Sequence, residues 1–274
     1  KAYYGYETAR EMIKSKHPDA MIFGGTVPDI RWIGNESGWA GETNWSAYLY
    51  DKEEHYSQAQ WGMKDGDKWL PGECDVSIRP GWFYHPEEDD RVKTVDELTD
   101  LYYRSVGHNA TLLLNFPVDR DGLIHPTDSA NAVNFHQNVQ KQLAHNLLAG
   151  LSPKASDERG RTFSAKAVTD GDYDTYWATN DDVTSATIEF DLPQAEKINR
   201  MMLQEYIPLG QRVKSFVVEY DKDGKWLPVK LNEETTTVGY KRLLRFETIS
   251  TDKLRIRFTD ARACLCINNI EAYY

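Results

Sequence analysis

Between Arg31 and Trp82 the chain gathers Trp32, Trp39, Trp45, Trp69 and Trp82 among carboxylates, in the words DIRWIGNESGWAGETNW, WLPGE and DVSIRPGWFYH. Flat indole faces stack on the apolar faces of sugar rings, while Asp, Glu and Arg hydrogen-bond sugar hydroxyls. A carboxylic acid is also the usual proton donor for breaking a glycosidic bond. A lone Trp more often fills a core. Here Gly, Pro and Asn interrupt the stretch and mark it as loops, where binding and catalytic groups concentrate. These residues point to a carbohydrate-active site.

The elements that must position them divide the chain in two. At 274 residues there is room for about two domains. Tyr3 to Lys16 has helical spacing, and Ala20 to Gly25 (AMIFGG) reads as a strand buried on both faces. Trp69 to Ile78 has extended character. Thr94 to Gly107 opens with the capping box TVDE and continues at helical spacing. Ala110 to Phe116 (ATLLLNF) reads as the clearest buried strand, and Asp128 to Leu148 as a long amphipathic helix stopping near Gly150. Alternating strands and helices imply a parallel sheet with helices outside it. After Gly150 the pattern changes to Val, Ile and Phe-rich runs separated by turns, the signature of an antiparallel β-sandwich. The fold class is thus α/β plus all-β: residues 1–150, a linker at 151–160, and a sandwich at 161–274.

Charge narrows the partners. The net charge is −11, and residues 1–150 carry 14 Lys and Arg against 23 Asp and Glu, residues 151–274 18 against 20. An acidic first half argues against nucleic acid and anionic membranes as partners, and no apolar run is long enough to span a bilayer. A neutral sugar suits it. Cys74, Cys264 and Cys266 make neither a disulfide framework nor a zinc pattern; the last two, on a strand, pack as small hydrophobes.

PDIRWIGNESG, ETNWS, WLPGECDVSIRPGWFYH and NATLLLNFPVDRDGLIHP resemble the C-terminal part of the catalytic (β/α)8 barrel of family 29 α-L-fucosidases. The likeness is nearest to the branch that removes α-1,3/1,4-linked fucose from glycans. ASDERGRTFSAKAVTDGDYDTYWAT and INNIEAYY resemble a discoidin-like (F5/8 type C) sandwich. The resemblance implies a retaining hydrolase of fucosylated glycans with a periplasmic or secreted address. The family's nucleophilic aspartate lies in a WFDG-like word that this chain lacks. The chain therefore reads as a fragment of the barrel that is inactive alone, with a non-catalytic carbohydrate-binding protein as the alternative.

Two glutamates compete for the acid/base role. Glu36 lies in RWIGNESG, on the loop after a strand, and Glu73 lies in WLPGECD, entering one. Barrel enzymes carry catalytic groups on loops at the C-terminal ends of strands, which favours Glu36, as does the family's interval after the nucleophile. The resemblance makes Arg31 a residue lining the fucose site and Trp82 a stacking face for fucose. Trp32, Trp39 and Trp45 are candidates for outer subsites. Asp75 and Arg79, on DVSIR, are expected to pair inside the barrel, and His85 to reach its rim.

In the second half, TDGDYDTYW sets Asp170, Asp172 and Asp174 at alternate positions before Thr175. Such oxygen-rich loops suit calcium, which takes 6–8 hard oxygen ligands. The discoidin likeness implies a structural calcium ion held by Asp170, Asp172, Thr175 and Glu271. An Asx-turn cluster without metal is the competing reading.

Overall fold

In the computed structural model, residues 5–24, 28–49 and 59–274 are described. The first half is built on three parallel strands in the order β1 (Arg31–Trp32), β4 (Gly72–Ser77), β5 (Ala110–Asn115). A two-stranded ribbon, β2 (Ala47–Tyr48) and β3 (Lys68–Trp69), lies between β1 and β4 in sequence. Helix α1 (Tyr6–Lys16) precedes the sheet, and α2 (Val95–Ser105) connects β4 to β5. The capping box forms as read: the Thr94 hydroxyl accepts from Glu97 N–H while the Glu97 carboxylate accepts from Thr94 N–H. Leu98 and Leu101 of α2 pack on Val76 and Ile78, with Leu112 and Leu114 of β5 against the same cluster. Helix α3 (Pro126–Gln142) lies on α2, where Tyr103 OH donates to Gln142 Oε1 at 3.1 Å.

Three expectations change. The run AMIFGG is not a buried strand: Phe23 makes one isolated bridge to Ile30, and Met21 and Phe23 are 62% and 45% exposed. Its Gly25 lies outside the described residues. An apolar run is buried only where other elements cover it, and among the described residues none covers both faces of this one. The strand ATLLLNF is covered on one face alone, so Leu112 and Leu114 pack on helices while Leu113 is 48% exposed. Helix α3 ends at Gln142 rather than Leu148, and Leu148 leaves it to enter the core of the second half, fully buried.

That second half is one seven-stranded sheet folded on itself, six of its strands in the order β10-β9-β11-β8-β12-β7 and the seventh, β6, paired with β8 off that path. Its strands are β6 (Lys154–Ala155), β7 (Trp177–Ala178), β8 (Ala186–Glu205), β9 (Val213–Lys222), β10 (Lys225–Pro228), β11 (Arg242–Ala261) and β12 (Cys266–Tyr273). Strands β8 and β11 are each 20 residues long and pair antiparallel with two register shifts. The first part of β8 and the end of β11 pair with β6 and β9, while the end of β8 pairs with β12. Two long strands thus pass through both layers, and Trp177, Phe190, Phe216, Ile256 and Phe258 fill the space between them. Each such buried side chain contributes about 1.5–3 kcal/mol. The segment 151–160 includes β6, which pairs Lys154 with Glu189 and Ala155 with Ile188.

Glu205, at the end of β8, is 2% exposed, and its carboxylate accepts from the backbone N–H groups of Arg212, Val213 and Gly239 at 2.5, 2.8 and 2.6 Å. Burial pushes the carboxyl up from 4.5 to about 7, against those three donors, which favour the charged form. The folded state therefore keeps a proton that the unfolded chain has already released across this window. Stability from this group is fully present below pH 4.5 and is lost as pH rises towards 7. The loss is at most on the order of 3 kcal/mol. Denaturant melts at pH 5 and pH 8 are expected to show this loss in the native chain and a smaller one in Glu205→Gln. Equal losses in both would mean that Glu205 does not carry it.

Candidate active site

Side chains alternate along β4, so Cys74 and Val76 enter the helix-covered core while Glu73, Asp75 and Ser77 share the opposite face. Register aligns Glu73 with Thr111, Asp75 with Leu113 and Ser77 with Asn115. This polar face is where chemistry can be built. The Trp32 indole N–H donates to Asp75 Oδ1 at 2.6 Å.

Both β1 and β4 run in parallel into loops that meet at their C-terminal ends. The first loop carries Glu36, which is exposed, and the second carries Trp82, which is half-buried. The Trp82 indole N–H donates to Glu36 Oε2 at 2.9 Å. Asn115, at the end of β5, donates through Nδ2 to the Trp82 carbonyl and to Ser77 Oγ, both at 3.1 Å. Gly38, at φ +78°, lets the Glu36 loop lie on the sheet; a Cβ there would come within 2.7 Å of Val76. Asn115 and Ser77 were not singled out from sequence, although each is a polar residue at the C-terminal end of a parallel strand.

Glu73 lies at the opposite end of the same face, four residues before Ser77, or about 13 Å at roughly 3.3 Å per residue. Its carboxyl is raised by burial and then by the neighbouring Asp75 charge, with a Thr111 hydrogen bond acting the other way. The residue therefore holds protons readily, but far from the loops that meet at Trp82.

Arg31 is buried at 5% exposure and turned inward. Its Nε donates to the Ala59 carbonyl at 2.8 Å, Nη2 to Asn44 Oδ1 at 2.6 Å, and Nη1 to the Leu70 carbonyl. Burial lowers the guanidinium to about 10. Arg31 thus ties three segments together at the N-terminal end of β1. Trp45 is likewise 6% exposed under the Arg262 guanidinium, 5.7 Å from the ring centre, and so is an internal group rather than an outer subsite. Trp39 is half-buried with Arg104 over its ring at 4.8 Å.

The expected pair between Asp75 and Arg79 does not form, because each has another partner. Arg79 makes a two-pronged pair with the fully buried Asp128 of α3, both contacts 2.8 Å, and reaches Asp89 at 2.9 Å. It also supports the Trp82 loop, under Tyr84 at 4.6 Å and with a contact to the His85 carbonyl at 3.4 Å. The side chain of His85 is exposed.

In the sandwich, Asp170 Oδ1 accepts from Asp172 N–H at 2.9 Å and Oδ2 accepts from the Thr175 hydroxyl at 2.8 Å. The Thr175 hydroxyl also lies 3.1 Å from the Asp172 carbonyl. These are Asx turns that crowd hard oxygens into one loop. Glu271 accepts from Asn269 Nδ2 at 2.8 Å, and its charge acts on Tyr173 of that loop and on Lys241. Among the described residues no three His, Cys, Asp or Glu side chains gather into a metal site. An ion here would rely on carbonyl and hydroxyl oxygens as much as on carboxylates. The three cysteines are free and buried, and among the described residues no helix is long and apolar enough to cross a membrane.

With this geometry in place, comparison with known proteins is informative. The F5/8 type C domain family matches residues 152–268. Alpha-L-fucosidase 1 of Arabidopsis thaliana is 36% identical over 282 residues, covering 98% of this chain and 54% of the relative. A Bacteroides thetaiotaomicron structure assigned as an alpha-L-fucosidase superposes with a TM-score of 0.93 at 39% identity, covering 98% of this chain and 60% of that one. A family 29 fucosidase of Ruminococcus gnavus, solved in complex with fucose, gives 0.84 at 34% identity over 93% of this chain and 52% of that one. The chain is homologous to the glycoside hydrolase family 29 α-L-fucosidases and carries an F5/8 type C domain. It spans about half the length of the curated relatives it matches.

The Arg79 pair yields a test. Removing the guanidinium leaves the Asp128 carboxylate buried without its partner, which typically costs 3–5 kcal/mol. Arg79→Met is expected to lower stability by about that amount in denaturant melts, and the double variant Arg79→Met/Asp128→Leu to recover much of it. A single variant as stable as the native chain would contradict this account of the loop's support.

Proposed function

We propose that this chain is part of a retaining α-L-fucosidase that removes terminal α-1,3/1,4-linked L-fucose from glycans, with Glu36 as general acid and base. The observation that carries the reading is the exposed Glu36 carboxylate, bonded to the Trp82 indole N–H where two parallel strands release their loops. In a (β/α)8 barrel that end of the sheet is where substrates react, and this three-stranded sheet is read as part of such a barrel. Glu73 stays the competing acid/base residue, at the far end of β4. Arg31 and Trp45, turned inward, would shape the fucose site from behind.

In the reaction, Glu36 protonates the departing glycosidic oxygen while a second carboxylate attacks the anomeric carbon. Glu36 then takes a proton from the water that releases fucose. Retaining enzymes set the two carboxylates about 5 Å apart, and the nucleophile is assigned to the part of the relatives' length that this chain does not span. The Trp82 indole N–H fixes the orientation of Glu36 Oε2 and leaves the ring face for the sugar. A periplasmic or secreted address goes with this reading, and fractionation of source cells tests it.

In the full-length enzyme, Glu36→Gln is expected to lower kcat on natural glycans by about 10²–10⁴-fold, the range of a general acid. Aryl fucosides with good leaving groups need little protonation and should lose far less in the first step. Azide should rescue Glu36→Ala by replacing the activated water. Rescue of Glu73→Ala instead would reassign the role to Glu73. Full activity in both variants would exclude both glutamates from the acid/base role, and only a full-length protein without fucosidase activity would leave a carbohydrate-binding function.

For the sandwich, the reading includes one structural calcium ion, held by Asp170, the Asp172 carbonyl and Thr175, with Glu271 approaching from β12. The crowding of oxygens in the 170–175 loop supports it. Binding the folded state alone stabilises it by about 2.7 kcal/mol at a hundredfold excess over Kd. Chelator is expected to lower the melting temperature, and calcium to restore it where magnesium does not. An unchanged melting curve would leave the Asx turns as the whole function of the loop.

A further inference from the structure

The loop that leaves Glu36 is held from behind by the sandwich. Ala40 N–H donates to the Arg104 carbonyl at 2.9 Å, and the Ala40 carbonyl meets His108 Nδ1 at 3.1 Å. From Glu42 to Ser46 the loop also takes partners from the second half of the chain, beside those that Arg31, Trp61, His108 and Asn109 supply from the first. Glu42 Oε2 accepts from Glu234 N–H at 2.8 Å, and the Glu42 carbonyl accepts from Arg242 Nη1. Thr43 and Thr236 share a hydroxyl contact of 2.7 Å. Asn44 N–H donates to Thr237 Oγ1 at 2.9 Å.

Gln211 completes the hold. Its Oε1 accepts from Ser46 N–H at 2.8 Å and its Nε2 donates to the Asn44 carbonyl at 2.9 Å, so one side-chain amide pairs with two backbone groups as a neighbouring strand would. Gln211 is 5% exposed and Thr237 2%. Neither is free to move, because Glu205 fixes Arg212, Val213 and Gly239 beside them.

We propose that Gln211 and Thr237 of the sandwich are positioning residues for the acid/base Glu36. This rests on the fucosidase reading above and adds to it a role for the second domain: it is part of the apparatus that sets the proton donor, not a separable appendage. The constraint runs through the backbone. Gly38 and Trp82 hold the loop from the sheet side, and Thr237 and Gln211 hold it eight to ten residues after Glu36. Releasing the rear anchor lets the loop shift by fractions of an ångström, and a misplacement of about 1 Å can cost 10²-fold in rate. Proton donation is the step most sensitive to that shift.

The test uses the full-length enzyme carrying Gln211→Met or Thr237→Val, with Thr237→Ser as the conservative control. Michaelis parameters and pH–rate profiles are measured on a natural fucosylated oligosaccharide and on an aryl fucoside with a good leaving group, alongside the melting temperature. Expected is a fall in kcat on the oligosaccharide of about tenfold or more, with the aryl fucoside within about twofold of native and the basic limb of the pH profile displaced. Thr237→Ser should restore native kinetics. A merely structural role would lower both substrates together, in proportion to the folded fraction, with an unmoved pH profile, and that result would overturn the proposal. If Glu36→Gln shows the leaving-group dependence and the sandwich variants do not, the proposal alone fails. If Glu36→Gln lacks it as well, the fucosidase assignment of Glu36 fails first.

Discussion

Three buried amides, Asn44, Asn109 and Gln211, hold the two halves of this chain together. Asn44 is fully buried, and its side chain accepts from Arg31 while donating to the carbonyls of His108 and Asn109. Asn109 returns a bond to the Asn44 carbonyl and reaches Ser46 Oγ, and its own Oδ1 accepts from Tyr240 N–H. Each group left without its partner in such a seam costs about 1–3 kcal/mol. The network therefore tolerates one arrangement of the halves, and it fixes where the loop after Glu36 can run. Asn109 is also at φ +59°, a left-handed conformation that Asn accepts more readily than most side chains.

Around that seam the charges divide by task. Arg31, Arg79 and Arg242 are buried and spend their donors on carbonyls and carboxylates of the protein. Among the described residues the exposed Glu36 carboxylate has one side-chain partner, the Trp82 indole. A group meant to exchange a proton with a substrate must be reachable, and one meant to set geometry must be immobile. On the proposed reading the first requirement falls to Glu36, and the second to the buried Arg31, Arg79 and Arg242.

Much of the framework was legible in sequence because it rests on local rules. The capping box of α2, the change from helical to strand spacing after Gly150 and the turn-rich Trp segment each follow from residues close together in the chain. What could not be read were choices between distant partners. Arg79 and Asp75 stand four residues apart in the word DVSIR and look like a pair, yet β4 ends at Ser77 and Asp128, 49 residues on from Arg79, offers a two-pronged site that Asp75 cannot match. Arg31 sits in a word that resembles a fucose-binding motif, but its guanidinium meets the carbonyls of Leu70 and Ala59 instead. The exposure of Met21 and Phe23 was invisible for the same reason, since an apolar run does not say what covers it.

The central claim is that Glu36, not Glu73, stands where the glycosidic oxygen will be. A crystal structure of the full-length enzyme with a fucosylated inhibitor that retains the linking oxygen measures this directly. The account places a Glu36 carboxylate oxygen within about 2.6–3.2 Å of that atom, with the Trp82 indole N–H still on the other oxygen. A linking oxygen held by Glu73, with Glu36 turned to solvent, would contradict it.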